Sequence, residues 1–238
     1  MATGKLHSYD ADGVECIGYL ALPDGDGPAP GILVSPAFSG LSDMERATCD
    51  RLAEQGYVAL GVDYYSGGTL AANREEAAAL MAKMQANRPL LATRMIAALE
   101  ELRGLSQTKG QKLGAMGYCF GGKSVLDLAR VGADFAAGVS LHGVYDAPPE
   151  PSKKMKAALL ICDGWDDSLC PPEAKVALAE ELSEHCDDWQ MLAFGGTGHA
   201  FTNPKASVGN GFGYSESADR RSWRALSDFF DDALRKGI

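Results

Sequence analysis

The segment KLGAMGYCFGGKSVLDLA, residues 112–129, decides the fold because it changes character at its centre. Its first part, Lys112–Gly117, is a short apolar run that predicts a buried β-strand. Its second part predicts a helix that continues through Ala129, and glycines mark a sharp turn between the two. A strand that passes directly into a helix is the unit from which α/β proteins with a mostly parallel sheet are built.

Strands and helices alternate on both sides of this segment. Further strands are predicted at Gly31–Ser35, Tyr57–Val62, Ala136–Leu141, Ala157–Cys162 and Trp189–Phe194. Helices are predicted at Asp43–Gln55, at Ala71–Arg103 with an interruption before Pro89, at Pro171–His185 and at Ala218–Lys236. Leu6–Tyr9 and Val14–Leu22 flank the turn dipeptide Asp12-Gly13 and predict a hairpin. We therefore predict an α/β fold with a mostly parallel sheet, helices on both faces and an N-terminal antiparallel hairpin, in one domain covering residues 1–238.

The composition excludes several classes of protein. Hydrophobic residues make up 46% and charged residues 23% of the 238 residues, which is typical of soluble globular domains. The net charge of −10 repels phosphate backbones and anionic membrane surfaces, so neither nucleic acid nor a membrane is expected as a partner. The N-terminus lacks an apolar signal region, and six scattered cysteines without zinc spacing indicate reduced thiols. We expect a cytoplasmic monomer or homodimer that acts on a small molecule and needs no metal or other cofactor.

Residues 117–121 have the pattern G-x-C-x-G, which places Cys119 where a nucleophile sits on a sharp strand-to-helix turn. Gly117 and Gly121 stand two residues before and after it, where larger side chains would make the strand and the helix collide. The N-terminus of the following helix favours negative charge and therefore a thiolate. The pattern predicts Cys119 as the nucleophile.

The same stretch also fits a P-loop, because Gly117–Ser124 satisfies G-x-x-x-x-G-K-[ST]. In that interpretation Lys123 would reach the terminal phosphates of a nucleotide and Ser124 would hold magnesium. The bulky Tyr118 and Phe120 disfavour a loop that must curl around phosphate, so nucleotide binding is the second hypothesis. A catalytically silent scaffold and a thiol redox protein are further alternatives, and the latter lacks an evident resolving cysteine.

A cysteine nucleophile needs a base, and the base needs an acid that orients it. Among the four histidines, His199 lies in a glycine-rich loop, Gly195–Phe201, directly after the last predicted strand. The predicted strand before it ends in a loop that offers three carboxylates, Asp163, Asp166 and Asp167. Nucleophile, acid and base therefore follow one another along the chain, each at the end of its own strand.

Three motifs together resemble the dienelactone hydrolase family, a cysteine branch of the α/β-hydrolases. They are GYCFGG at 117–122, GWDDSLCP at 164–171 and GHAF at 198–201, and the stretch from Gly31 to Gly68 and the C-terminal ADRRSW are similar as well. The resemblance covers nearly the whole chain. It implies the α/β-hydrolase fold and hydrolysis of a small activated carboxylic ester or lactone through an acyl-thioester, as in dienelactone hydrolase (carboxymethylenebutenolidase).

The resemblance also implies roles for individual residues. Cys119 matches the family's nucleophile and His199 its base. In the pattern G-x-x-D-x-x-x-P the acid stands four residues before the proline, which selects Asp167 from the three carboxylates. The backbone N–H groups of Phe38 and Phe120 would form the oxyanion hole.

Two positions depart from the family pattern and leave the natural substrate open. Ala37 stands where well-known members carry a glutamate that contacts the nucleophile, and Asn203 stands where they carry an arginine that grips a substrate carboxylate. Side chains near the strand ends are expected to shape the substrate pocket. They are Tyr64, Tyr65, Tyr118, His142, Trp165 and Asn203.

Overall fold

The computed structural model describes residues 3–236, and the chain divides between Met116 and Gly117 into two compact units. The elements of the first unit are β1 (Lys5–Asp10), β2 (Glu15–Ala21), β3 (Gly31–Ser35), α1 (Asp43–Glu54), β4 (Val58–Gly61), α2 (Arg74–Gln85) and α3 (Arg88–Gly104). Strand β5 (Leu113–Tyr118) carries the chain from the first unit into the second. The prediction of a single domain stays a prediction.

The first unit confirms the predicted hairpin. Strands β1 and β2 pair antiparallel, β2 pairs antiparallel with β4, and β3 pairs parallel with β4. Asp12 and Gly13 form the two-residue turn of the hairpin with φ angles of 58° and 75°. Both angles are positive, which suits an Asp-Gly pair because these residue types tolerate the left-handed region.

Side-chain caps decide where the helices of the first unit begin. Ser42 and Glu45 form a capping box at the start of α1. The predicted helical stretch from Ala71 begins later, at Arg74, because the Asn73 side chain accepts a hydrogen bond from the third residue of the helix. The stretch is interrupted before Pro89, as predicted, and Asn87 caps the helix that follows.

The second unit supplies parallel strands. Its elements are α4 (Phe120–Arg130), β6 (Ala137–Leu141), β7 (Ala158–Gly164), α5 (Pro172–His185), β8 (Trp189–Phe194) and α6 (Glu216–Phe230), followed by a π-helical turn at Asp231–Lys236. Strand β7 pairs parallel with β6 and with β8, so the carboxyl ends of these strands lie at one edge. It runs two residues beyond its predicted end because Asp163 and Gly164 still pair with β8. The alternation of strands and helices confirms the predicted α/β class.

Helix α4 is the buried centre of the second unit, since every one of its residues is inaccessible to solvent. Its charged side chains have partners, as burial requires. The guanidinium of Arg130 donates to the carboxylates of Asp127 and Glu181 at 3.2 and 2.7 Å. Among residues 3–236 no helix combines the length and the apolar character that are needed to cross a membrane.

Candidate active site

Cys119 occupies the turn between β5 and α4 in a strained backbone conformation. Its φ of 54° and ψ of −114° lie in a region that side-chain-bearing residues rarely adopt, at a cost of about 1–3 kcal/mol. Two hydrogen bonds hold the turn: the Cys119 N–H donates to the Leu141 carbonyl at 3.0 Å, and the Cys119 carbonyl accepts from the Lys123 N–H at 3.2 Å. This is the strained turn expected of a nucleophile.

The glycines near Cys119 lie where other segments of the chain approach too closely to leave room for a side chain. A Cβ atom on Gly117 would lie 2.3 Å from the backbone carbon and oxygen of Gly121. A Cβ atom on Gly122 would lie 2.5 Å from the Ser140 hydroxyl. No rotamer change relieves the clash at Gly117, because it is with backbone, so the geometry of the turn requires the first glycine of the G-x-C-x-G pattern.

His199 follows β8 and is held by a short segment that we name the glycine strap, Gly209–Gly213. The His199 N–H donates to the Gly211 carbonyl at 2.6 Å, and the His199 carbonyl accepts from the Gly213 N–H at 2.9 Å. The Phe212 ring packs edge-on against the imidazole, with 5.3 Å between ring centroids. The strap therefore fixes both the backbone and the ring of the predicted base.

Asp167 is the carboxylate that meets this histidine. Its Oδ2 lies 2.7 Å from Nδ1 of His199, and its Oδ1 accepts a hydrogen bond from the Leu169 N–H at 2.8 Å. Of the other two candidate acids, Asp166 is exposed, and Asp163 is buried 3.0 Å from the ammonium of Lys175. The structure thus brings Asp167 to His199, in agreement with the family pattern.

The surroundings of His199 favour its charged form. Burial lowers the pKa of His199, but the hydrogen bond with Asp167 and the hydrogen bond and charge of Cys119 more than offset this and raise it to about 10. Both predicted partners, the acid and the nucleophile, therefore affect the protonation of His199. An imidazolium beside Cys119 in turn stabilises a thiolate.

His142 stands directly after β6 and packs against the base. Its ring centroid lies 5.1 Å from that of His199 and 5.1 Å from that of Phe201, both edge-on, and 6.0 Å from that of Tyr118. Its Nε2 lies 2.8 Å from the Thr202 hydroxyl. Burial, together with the charge of His199, lowers the pKa of His142 well below its ordinary value, so this imidazole is neutral.

Three of the remaining predicted residues bind the backbone through their polar side-chain atoms. The Tyr64 hydroxyl donates to the Ala37 carbonyl at 3.1 Å, the Tyr65 hydroxyl donates to the Phe38 carbonyl at 2.8 Å, and the Asn203 side chain accepts from the Lys205 N–H. Tyr118 is buried, Trp165 is half-exposed, and Phe120 is the first residue of α4. The proposed roles of these residues in the pocket and the oxyanion hole stay predictions.

The P-loop hypothesis finds no support in the geometry. Residues from Phe120 onward are helical, which leaves no loop to curl around a phosphate. The ammonium of Lys123 is buried 2.6 Å from the Asp146 carboxylate, and the Ser124 hydroxyl donates to the Phe120 carbonyl. Both side chains that would hold a nucleotide and magnesium are therefore engaged elsewhere.

Sequence reasoning did not find three features of this site. Lys175 carried no signal, because an isolated lysine in a helix is usually solvated. Thr202, the partner of His142, was also unmarked. The glycine strap could have been recognised from the run VGNGFG, since closely spaced glycines indicate backbone that approaches another segment closely. A Cβ atom on Gly211 would lie 2.7 Å from the Asp166 carbonyl.

Comparison with known proteins places the chain among enzymes. Residues 17–234 match the dienelactone hydrolase family. A crystal structure of a dienelactone hydrolase-like promiscuous phosphotriesterase from metagenomic libraries is 31% identical, covers 98% of this chain and all of its own, and superposes with a TM-score of 0.91. Protein usf of Aquifex pyrophilus is 27% identical over 97% of this chain and 99% of its own length. A carboxymethylenebutenolidase homolog of Mus musculus is 27% identical over 73% of this chain and 71% of its own length.

These matches extend over nearly the whole chain, and they agree with the strained cysteine turn and with the acid and base that follow it in sequence. They confirm the α/β-hydrolase fold implied by the sequence motifs. The chain belongs to the dienelactone hydrolase family and is a carboxylic ester or lactone hydrolase.

Proposed function

We propose that the chain hydrolyses a small activated ester or lactone through a triad of Cys119, His199 and Asp167. One observation carries the proposal: His199 is hydrogen-bonded to Asp167 at 2.7 Å, and Cys119, which lies in the strained turn, raises the pKa of the same imidazole. Each member has a place that suits its role, with the nucleophile at a helix N-terminus, the base in a loop and the acid buried.

The first half of the reaction forms an acyl-thioester. The Cys119 thiolate adds to the substrate carbonyl carbon, and the carbonyl oxygen becomes an oxyanion beside the first turn of α4. The N–H of Phe120 is the proposed donor there, because N-terminal N–H groups and the helix dipole favour negative charge. The imidazolium of His199 then protonates the leaving alkoxide oxygen as the carbon–oxygen bond breaks. The proposal of a second donor at Phe38 rests on the family resemblance.

The second half regenerates the enzyme. Neutral His199 takes a proton from water, and the hydroxide oxygen adds to the thioester carbon. The carbon–sulfur bond breaks, the carboxylic acid leaves, and the thiolate–imidazolium pair is restored. Asp167 keeps Nδ1 of His199 protonated throughout, so that the other ring nitrogen faces the reacting atoms.

The chemistry of the nucleophile restricts the substrate. A thiolate is a good leaving group, so the tetrahedral intermediate returns to substrate unless the departing oxygen is at least as good. Enol esters, enol-lactones and aryl esters satisfy this condition, whereas amides do not. We therefore propose an activated lactone or ester as the natural class of substrate.

The test is hydrolysis of p-nitrophenyl acetate and of a small enol-lactone by the wild type, Cys119→Ala and His199→Ala. We expect each variant to lose about a hundredfold or more in kcat. Cys186→Ala is the matched control, because that thiol is buried at the end of α5, and it should retain the wild-type rate. Mass spectrometry of an acid-quenched wild-type reaction should find the acyl group on Cys119.

Two results would overturn the proposal. An inactive wild type would leave the silent scaffold as the hypothesis to pursue. Undiminished turnover by Cys119→Ala would show that another group attacks the carbonyl.

A further inference from the structure

We propose that Asp163 and Lys175 form a buried ion pair that positions the catalytic acid and sets the protonation of His199. The pair is outside the catalytic roles assigned above. The proposal rests on the proposed function, because it takes Asp167 as the acid and His199 as the base.

The first support is burial. Asp163 is 0% and Lys175 3% exposed, and the Nζ–Oδ2 distance is 3.0 Å. Charged side chains are almost never buried to this extent without a partner, because each ion loses its hydration. Regular secondary structure holds the backbone of both residues. Asp163 lies in β7, which pairs with β8, and Lys175 lies in the first turns of α5.

The second support is the position of the lysine relative to the acid. We name Gly164–Pro171 the acid loop, since it carries Asp167. Asp163 immediately precedes this loop, and the Cys170 carbonyl near its far end accepts a hydrogen bond from Lys175 Nζ. The same ammonium lies 5.9 Å from the ring centroid of Trp165. The Lys175 ammonium therefore contacts Asp163 just before the acid loop, the Cys170 carbonyl near its end and the Trp165 ring within it.

The turn that carries Asp167 lies between the Asp163 and Cys170 contacts of Lys175. Within it the Asp167 N–H donates to the Gly164 carbonyl at 3.2 Å, and the Asp167 carbonyl accepts from the Cys170 N–H at 3.3 Å. These two bonds are long, so they position the loop less firmly than a regular turn would. Because Lys175 holds the Cys170 carbonyl, it restrains the turn that aims the Asp167 carboxylate at His199.

The third support is electrostatic. Burial raises the pKa of Asp163 to about 6, against the opposing effect of Lys175; the charge of Asp167 raises it further, and that of His199 lowers it. An interaction between two charges is mutual, so the Asp163 carboxylate stabilises the His199 imidazolium. The titratable groups that face the pair or the base are Asp167, Cys119, His142, Cys162, Cys170 and Tyr145.

Substitutions separate the two effects. Asp163→Asn leaves a cation near His199 and removes a carboxylate, so the imidazolium becomes less stable. The double variant Asp163→Asn/Lys175→Met leaves no unpaired charge, but it releases the Cys170 carbonyl. The single change therefore reports the charge of the pair, and the double change reports its hold on the acid loop.

The experiment is an NMR titration of the histidine ring signals in the full chain, in which only four histidines need assignment. We expect Asp163→Asn to lower the pKa of His199 by about half a pH unit or more. Asp146→Asn is the matched control, because it removes the carboxylate from the other buried lysine, Lys123, and it should leave the titration of His199 unchanged. An unshifted titration in a folded Asp163→Asn variant overturns the electrostatic part.

Activity tests the positioning part. We expect the double variant to titrate His199 near the wild-type value and to lose about tenfold in kcat with little change in KM, since the acid is misaligned and binding is not. Wild-type kcat in the folded double variant overturns this part. If Asp163→Asn does not fold, the double variant, which buries no lone charge, carries the positioning test, and Lys175→Met, which removes only the cation, carries the electrostatic test with the opposite expected result, a raised pKa of His199. The titration uses no substrate, so its outcome is independent of whether Cys119→Ala abolishes turnover.

Discussion

Two histidines of the second unit have nearly the same burial, but one is charged and the other is neutral. His142 is 2% and His199 3% exposed, and their ring centroids are 5.1 Å apart. Burial lowers the pKa of both, yet that of His142 ends well below its ordinary value and that of His199 rises to about 10. The difference lies in the partners, because His142 meets the hydroxyl of Thr202 whereas His199 meets the carboxylate of Asp167 and interacts with Cys119.

The pair shows how one edge of a sheet keeps a charged and a neutral imidazole in contact. Two imidazolium rings at this separation would repel, and the charge of His199 is itself a cause of the lowered pKa of His142. Neighbouring titratable groups whose pKa values are shifted in opposite directions are a common feature of acid–base sites. We infer that His142 packs against His199 as a neutral ring and cannot replace it as the base.

The largest expected effect comes from removing the charged member. We expect His199→Gln to lower kcat by about 10³ or more, because the leaving group then lacks an acid and water lacks a base. His142→Gln, the matched change in the neighbouring ring, should lower kcat far less. Steady-state hydrolysis of p-nitrophenyl acetate measures both. Equal losses in the two variants would break the distinction between them.

A smaller effect is expected from the neutral member. His142→Phe keeps an aromatic ring between His199 and Phe201 but removes the contact with Thr202. We expect a loss in kcat/KM of no more than about tenfold, in line with one neutral hydrogen bond. Thr202→Val removes the same contact from the other side and should have a similar effect. A hundredfold loss in His142→Phe alone would mean that the imidazole takes part in the chemistry.

The contrast also shows which features a sequence carries. Strands β3 and β8 have the predicted bounds, because each is a short run bounded by turn residues. The sharp turn at Cys119 and the loop of His199 can be predicted because each is marked by glycines in consecutive stretches of the sequence. The three candidate carboxylates could be narrowed only by the family pattern.

The features that cannot be predicted from the sequence depend on contacts between residues that are distant along the chain. The Asp163–Lys175 pair joins positions twelve residues apart through a strand end and a helix, and no local pattern marks it. The neutral state of His142 depends on a neighbour 57 residues later in the chain. Charge states of buried groups follow from the partners that the fold assembles, so they are outside the reach of motif reasoning.

The two histidines should act on the pH dependence of stability with opposite signs. The pKa of His199 is raised to about 10, so its contribution to stability is fully present below its ordinary value near 6.5 and is lost as the pH rises through about 10. The pKa of His142 is lowered, so its contribution is present above about 6.5 and is lost as the pH falls, because the unfolded chain then binds a proton that the folded chain does not.

Urea unfolding of the wild type, His199→Gln and His142→Phe at several pH values measures both signs. Below about pH 6 the wild type should lose up to about 1.4 kcal/mol per pH unit relative to His142→Phe, which is the slope for one proton. Near pH 10 it should lose stability relative to His199→Gln, because the imidazolium that Asp167 stabilises disappears. The free energy of unfolding of His142→Phe could instead fall in parallel with that of the wild type on the acid side. In that case His142 takes up a proton as readily in the folded protein as in the unfolded chain, and the fold does not keep it neutral.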